Sequence, residues 1–203
     1  MIDSQNSQRP SFSWPAAIFL TAALLLLTWI AFQDIQQALA ANASTQVVGM
    51  VNDQEITLLE FQNEMGLQAV RNVLRNQGDA EINQAVILNR MIGDALFLQA
   101  AQQAGVGVED VEVEDAIDML LGRYGLSRQE FDALLQEQNL DWTVFETSIR
   151  DYLTILRFVD EVVLKDVAPA DQQIALQTWM AEHFEAAELD FDQDFLDKVN
   201  GGG

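Results

Sequence analysis

The sequence predicts a mainly α-helical protein, with one N-terminal transmembrane helix ahead of a helical domain that opens on a small β-hairpin. Three observations predict it. Pro15 to Phe32 reads PAAIFLTAALLLLTWIAF, an uncharged run with only Thr21 and Thr28 as hydroxyl interruptions. From Thr57 onward, capping signals and apolar positions at helical spacing follow one another almost without a gap. The only prolines are Pro10, Pro15 and Pro169, so helix breakers are scarce.

Residues 1–14 form a short polar head. As a helix, residues 15–32 cover about 27 Å, close to the hydrocarbon thickness of a bilayer, and Trp14 and Trp29 sit where indoles favour the interface. The rival reading is a cleaved signal, since Ala38 to Ala43 (ALAANA) holds A-x-A patterns. The run is longer than a usual signal core, and Gln33, Asp34, Gln36 and Gln37 separate it from those patterns. Both features favour an uncleaved anchor, and both readings export the rest of the chain. Arg9 precedes the run and no Lys or Arg follows it until Arg71, which places the N-terminus in the cytoplasm.

Residues 33–46 are a Gln/Ala-rich linker. Val47, Val48, Met50 and Val51, then Asn52-Asp53-Gln54-Glu55, then Ile56-Thr57 read as strand, turn and strand. Thr57 caps the first helix in a capping box with Glu60, and Leu58, Phe61, Met65, Val70 and Leu74 supply its apolar positions. Asn76-Gln77-Gly78-Asp79 ends it. Glu81 to Ala104 is apolar around much of its circumference, as in a central helix, and stops at Gly105 and Gly107. A helix from about Val108 to Arg123 turns Val113, Ile117, Leu120 and Leu121 inward. Ser127 and Glu130 form a second capping box, before Phe131, Leu134 and Leu135. The last long helix runs from about Asp141 to Val163, with Trp142, Phe145, Ile149, Tyr152, Leu156, Val159 and Val163 as a core-facing stripe. Residues 47–166 thus make one domain, 167–188 a further helical segment past Pro169, and 189–203 an acidic tail.

The formal net charge is −22, which excludes nucleic acid as a partner, because phosphates demand Lys and Arg. It also disfavours docking on anionic lipid. There is no cysteine, so disulfides, thiol catalysis and Cys-based metal sites are excluded. His183, the only histidine, stands beside Glu182 and Glu185 and reads as a surface residue. Asp190, Asp192 and Asp194 imitate the start of a calcium loop, but Phe195 and Gly201 stand where its glycine and glutamate belong. The acidic run from Glu109 to Asp115 suits a solvated helix start. No cofactor, metal or catalytic constellation is expected.

VVGMVNDQEITLLEF, ILNRMIGDALFLQAAQQAGVGVEDVEVEDAI and YGLSRQEFDALLQEQNLDWTVFETSIRDYLTILRFVDE follow one another in order. Taken together, they resemble the N-terminal chaperone domain of SurA-type periplasmic folding factors, which also occurs in membrane-anchored relatives of the PpiD and PrsA kind. The resemblance implies a bacterial helical module that binds unfolded polypeptide in an apolar groove and has no catalytic residues. Prolyl isomerisation in that family belongs to a separate parvulin domain. Residues 167–203 fall short of the ~50 that a compact domain needs, so isomerase activity is not expected. Candidate groove residues are Phe61, Met65, Met91, Phe97, Met119, Tyr124 and Phe131, each of which also suits an ordinary core.

The tail carries a second resemblance, to the double-glycine leaders read by peptidase-containing ABC exporters. Phe191, Leu196 and Val199 hold the leader's apolar places if Gly201-Gly202 are its glycines. Phe191, Phe195 and Val199 would share one helical face, and two glycines would pass a narrow protease cleft. The exporter peptidase is cytoplasmic, whereas the anchor sends this tail to the other side.

The preferred reading is a membrane-tethered, non-enzymatic chaperone or holdase for exported polypeptides, on the periplasmic or extracellular face of a bacterial inner or plasma membrane. The alternatives are an accessory protein or substrate of a double-glycine ABC exporter, and a structural subunit of a membrane complex.

Overall fold

The computed structural model describes residues 45–78 and 80–201. The expected head, membrane helix and most of the linker, together with Gly202, lie outside the described residues. Among the described residues no helix is long and apolar enough to cross a membrane.

β1 (Val47–Val51) and β2 (Gln54–Thr57) pair antiparallel, with Val51 opposite Gln54. Asn52 makes the turn with φ +54°, a left-handed conformation that Asn tolerates. The hairpin expected from the sequence is present, but the sheet has a third strand. β3 (Leu189–Phe191) runs antiparallel along the other edge of β1, giving the order β2-β1-β3, with Gly49 opposite Phe191 and Met50 opposite Asp190. Backbone bonds extend that ladder at both ends: Asp192 N–H donates to Val48 O at 3.0 Å, and Asn52 N–H to Glu188 O at 2.7 Å. Three residues are too few to show strand periodicity, so the pairing decides what they form.

The helices start where their caps stand. α1 (Leu58–Leu74) begins behind the Thr57–Glu60 box, and α4 (Arg128–Glu137) behind the Ser127–Glu130 box. α2 (Gln84–Gln103) begins later than its apolar pattern suggests, because the Asn83 side chain accepts the Val86 N–H at 3.0 Å and ends the preceding loop there. α3 (Asp110–Tyr124) closes on Gly125 in the left-handed region, φ +67°. α5 (Trp142–Phe158) follows an Asp141 cap and widens into a π turn over Val159–Val163. α6 (Gln172–Ala186) lies beyond Pro169. α7 (Gln193–Gly201) begins at Asp192, whose carboxylate accepts the Phe195 N–H at 2.8 Å.

Three cores result. The first joins the sheet to α1, α2 and α7 through Val48, Val51, Ile56, Phe61, Ile92 and Phe195. The second joins α1, α3, α4 and the first half of α5 around Phe131, Ile117 and Leu135. The third sets Phe97 and Ala101 of α2 and Phe158 of α5 against α6, whose Trp179 stacks on Phe97 at 4.4 Å. α2 serves the first and third cores on different faces, which is why its apolar residues surround it.

α5 also serves two cores, and this corrects the stripe read from its sequence. The second core takes Trp142, Phe145, Ile149 and Leu153, and the third takes Ile155, Phe158, Val159 and Val163. Tyr152 and Leu156 fall between the two and remain 58% and 46% exposed. The tail needs a second correction. Phe191 belongs to a strand, not to the helical face that carries Phe195 and Val199.

The third strand depends on a missing side chain. A Cβ at Gly49 would lie 2.0 Å from the Phe191 ring. Gly49→Ala should therefore destabilise the fold by about 1–3 kcal/mol, read as a lower urea midpoint. Adding Phe191→Ala to that variant should cost much less than Phe191→Ala alone, because the two residues share one space. Additive costs would mean that the ring does not sit over Gly49.

Candidate functional site

A cluster of charged side chains lies among α1, α2 and α5. Glu64 and Arg71 are two turns apart on α1, so they share a face, and Arg90 and Asp94 do the same one turn apart on α2. Arg90 donates to Glu64 across the two helices and stands 3.9 Å from Asp94. Arg71 lies 3.6 Å from Glu64 and donates through Nε to Gln68 at 3.1 Å, but its buried Nη2 has no hydrogen-bond partner. Burial and the neighbouring Arg90 both push the Arg71 guanidinium below its ordinary pKa.

Asp151 of α5 completes this group. Burial raises its carboxyl to about 6, the charges of Asp94 and Glu64 add to the shift, and Arg150 opposes it. Burial likewise pushes Asp94 up, while Arg90 pulls it down. This three-helix contact therefore holds a carboxyl able to take up a proton just below neutrality. No sequence motif announced it. The spacings within α1 and α2 were visible, but their convergence with Asp151 depends on how three helices pack.

Arginines also tie the start of α3 to α5. Arg150 donates to Asp110 at 2.7 Å and to Val108 O at 3.3 Å, and Arg157 donates to Gly107 O at 2.7 Å and to Glu112. The Arg157 bond, followed by one from the Glu109 N–H, holds the Glu112 carboxyl below its usual range. The acidic run at 109–115 is thus partly neutralised by α5. Arg128 does similar work at the head of α4, bridging Glu114 and Asp118 and lying 5.3 Å over the Trp142 ring.

A cleft of about 130 Å³ opens beside the hairpin turn, between Asn52, Leu96, Gln99, Gln103 and His183. Its wall is hydrogen-bonded: Asn52 Nδ2 donates to Gln99 Oε1 at 2.8 Å, and Gln99 Nε2 to Val51 O at 3.0 Å. His183 is half-buried, not a plain surface residue. Its ring stacks on Trp179 at 3.7 Å, and its Nδ1 lies 2.7 Å from Trp179 O.

The seven candidate groove residues do not converge. Phe61 is buried in the first core, with Met65 and Met91 packed against it. Phe97 belongs to the third core and Phe131 to the second, where it is fully buried. Only Met119, at 70%, and Tyr124, at 37%, present themselves to solvent, both on α3. Of the leader-type positions, Phe191 packs on Gly49, Leu196 packs against the first core and Val199 is buried within it. Gly201 ends α7 in the open. Asp190 and Asp192 serve the sheet edge and the α7 cap, and no group of three metal-ligating side chains converges among the described residues.

Residues 1–159 match the family model described as the SurA-like N-terminal domain. Curated relatives include the Chaperone SurA of Legionella pneumophila (strain Paris), 24% identical over 168 residues that make up 82% of this chain and 38% of that protein. The Chaperone SurA of Burkholderia orbicola (strain AU 1054) is 25% identical over 162 residues, 79% of this chain and 36% of that protein. That of Alcanivorax borkumensis (strain ATCC 700651 / DSM 11573 / NCIMB 13689 / SK2) is 26% identical over 155 residues, 74% and 34% respectively. The chain spans little more than a third of the length of these relatives.

The raised Asp151 carboxyl has a consequence for stability. Its folded pKa of about 6 lies above the ordinary value of 3.8, so the folded state binds a proton more tightly than the unfolded one between those limits. Its contribution is most favourable below pH 4 and is lost as the pH rises through 6. Asp151→Asn should therefore stabilise the protein at pH 7.5, by about 1–2 kcal/mol after discounting for partial solvent screening. At pH 4 the gain should vanish. Thermal unfolding at the two pH values checks this, and an equal effect at both would refute it.

Proposed function

The chain belongs to the SurA-like N-terminal domain family, and from that premise we propose that it is a non-enzymatic holdase that binds unfolded, exported polypeptides beside the membrane that anchors it. The observation that carries the reading is the family match over residues 1–159, which takes in the hairpin and α1 to α5. Relatives named Chaperone SurA support the same direction.

The surface suits such work. Val111 and Met119 of α3, Tyr152 and Leu156 of α5 and Ile174 of α6 are exposed apolar side chains on a chain of net charge −22. Separate apolar contacts of this kind grip an extended chain weakly at several points. The surrounding carboxylates repel acidic clients and draw basic ones. Methionine, being unbranched and polarizable, adapts to varied partners. The uncharged run from Pro15 to Phe32 supports a tether that would hold this surface at the export side of the membrane.

The test is aggregation of a chemically unfolded basic client, followed by light scattering. At a few-fold molar excess the purified chain should at least halve the scattering without turning over prolyl bonds. Met119→Ser should weaken the effect measurably while leaving the thermal midpoint unchanged, because that side chain is 70% exposed and the change adds no charge. Undiminished aggregation would overturn the reading.

A further inference from the structure

The C-terminal strand and helix occupy the first core as a ligand would. β3 covers the outer edge of β1, Phe191 lies against the bare backbone of Gly49, and Phe195 meets Phe61 edge-on at 5.0 Å between ring centres. Val199 follows one turn later, also buried. The segment is short, with a strand of three residues and a helix of nine. It is also acidic, in a chain that is acidic throughout. Residues 187–201 hold five carboxylates (Glu188, Asp190, Asp192, Asp194 and Asp197) against one lysine, Lys198, and the net charge of the whole chain, this segment included, is −22. Like charge weakens the docking of this segment, and a segment of the same shape without the acids would escape that repulsion.

We propose that β3–α7 is an exchangeable internal ligand. The berth it fills, between the open edge of β1 and the faces of α1 and α2, accepts in its place a segment of another polypeptide. That segment has an aromatic residue, a second aromatic four places on and an aliphatic residue four places further, and it is neutral or basic. Two kinds of recognition act together. The main chain adds as a strand to β1, and the side chains at those three places fill the spaces held by Phe191, Phe195 and Val199. The inference rests on the chaperone reading only for the partner's origin as a client; the exchange itself follows from the geometry and charge of the tail.

The absence of native cysteine allows a clean test in the full chain. Met50 and Asp190 are cross-strand partners, and antiparallel partners lie about 4.5–5.5 Å apart at Cα, within disulfide range. Met50→Cys with Asp190→Cys should therefore lock β3 in place when oxidised and free it when reduced. The probes are two labelled peptides of residues 187–201, one with the native sequence and one with its acids replaced by Asn and Gln. The neutral peptide should bind the reduced protein at least tenfold more tightly than the acidic one at low salt. Oxidation should weaken that binding at least tenfold. Equal binding to both redox forms, or binding to neither, would overturn the proposal.

Hydrogen exchange on the unmodified chain gives a second reading. Amides of β3 and α7 should exchange at least tenfold faster than the interior amides of α2, and equal protection would count against exchange. Aggregation assays on the same samples separate the two claims. Holdase activity without peptide binding defeats the exchange and spares the chaperone reading. Peptide exchange without holdase activity supports the exchange and defeats the chaperone reading.

Discussion

The first core depends on one long-range contact, the closure of β1 by β3. A two-stranded hairpin is marginal in water without a third strand or a packed face. Here both are supplied late in the chain: β3 pairs with the free edge, and α7 brings Phe195 and Val199 to the apolar side. Gly49 allows the close approach, since any side chain there would enter the Phe191 ring. The Asn52 turn is held from the same region, by Glu188 through backbone and side-chain bonds. The last thirteen described residues therefore complete the core that the N-terminal part of the domain begins.

A second constraint is the scarcity of positive charge. Ten Lys and Arg face 32 Asp and Glu, so each well-placed cation matters. Four arginines stand where elements meet: Arg90 between α1 and α2, Arg128 between α3 and α4, and Arg150 and Arg157 between α3 and α5. Single exposed pairs contribute little, typically below about 1 kcal/mol. Their positions matter more. They relieve acid repulsion at the helix junctions.

Local chemistry was legible in the sequence, and distant pairing was not. The Thr57–Glu60 and Ser127–Glu130 boxes could be read because both partners lie within four residues. The hairpin could be read because its turn is adjacent to its strands. The ordered segments from Val47 to Asp166 suggested the SurA-type N-terminal domain, and the family match over residues 1–159 bears that out. Phe191 looked like the start of a helical face because its partner strand lies far away in sequence. Tyr152 and Leu156 satisfied the spacing of a buried stripe, but spacing does not say that a helix changes partners halfway. The candidate groove residues failed to converge for a similar reason: large apolar side chains mark cores and binding surfaces alike, and only packing tells them apart.

The β1–β3 pairing also sets the order in which the molecule can mature. Gly49 and Phe191 are separated by roughly 140 residues, which synthesis at 5–20 residues per second takes roughly 7–28 s to supply. The second core, built from helices close in sequence, needs no such wait. During that interval the nascent hairpin would show an unpaired edge and an uncovered Phe61 to its surroundings. For those first seconds the chain is thus itself an immature one, with part of its own core still uncovered.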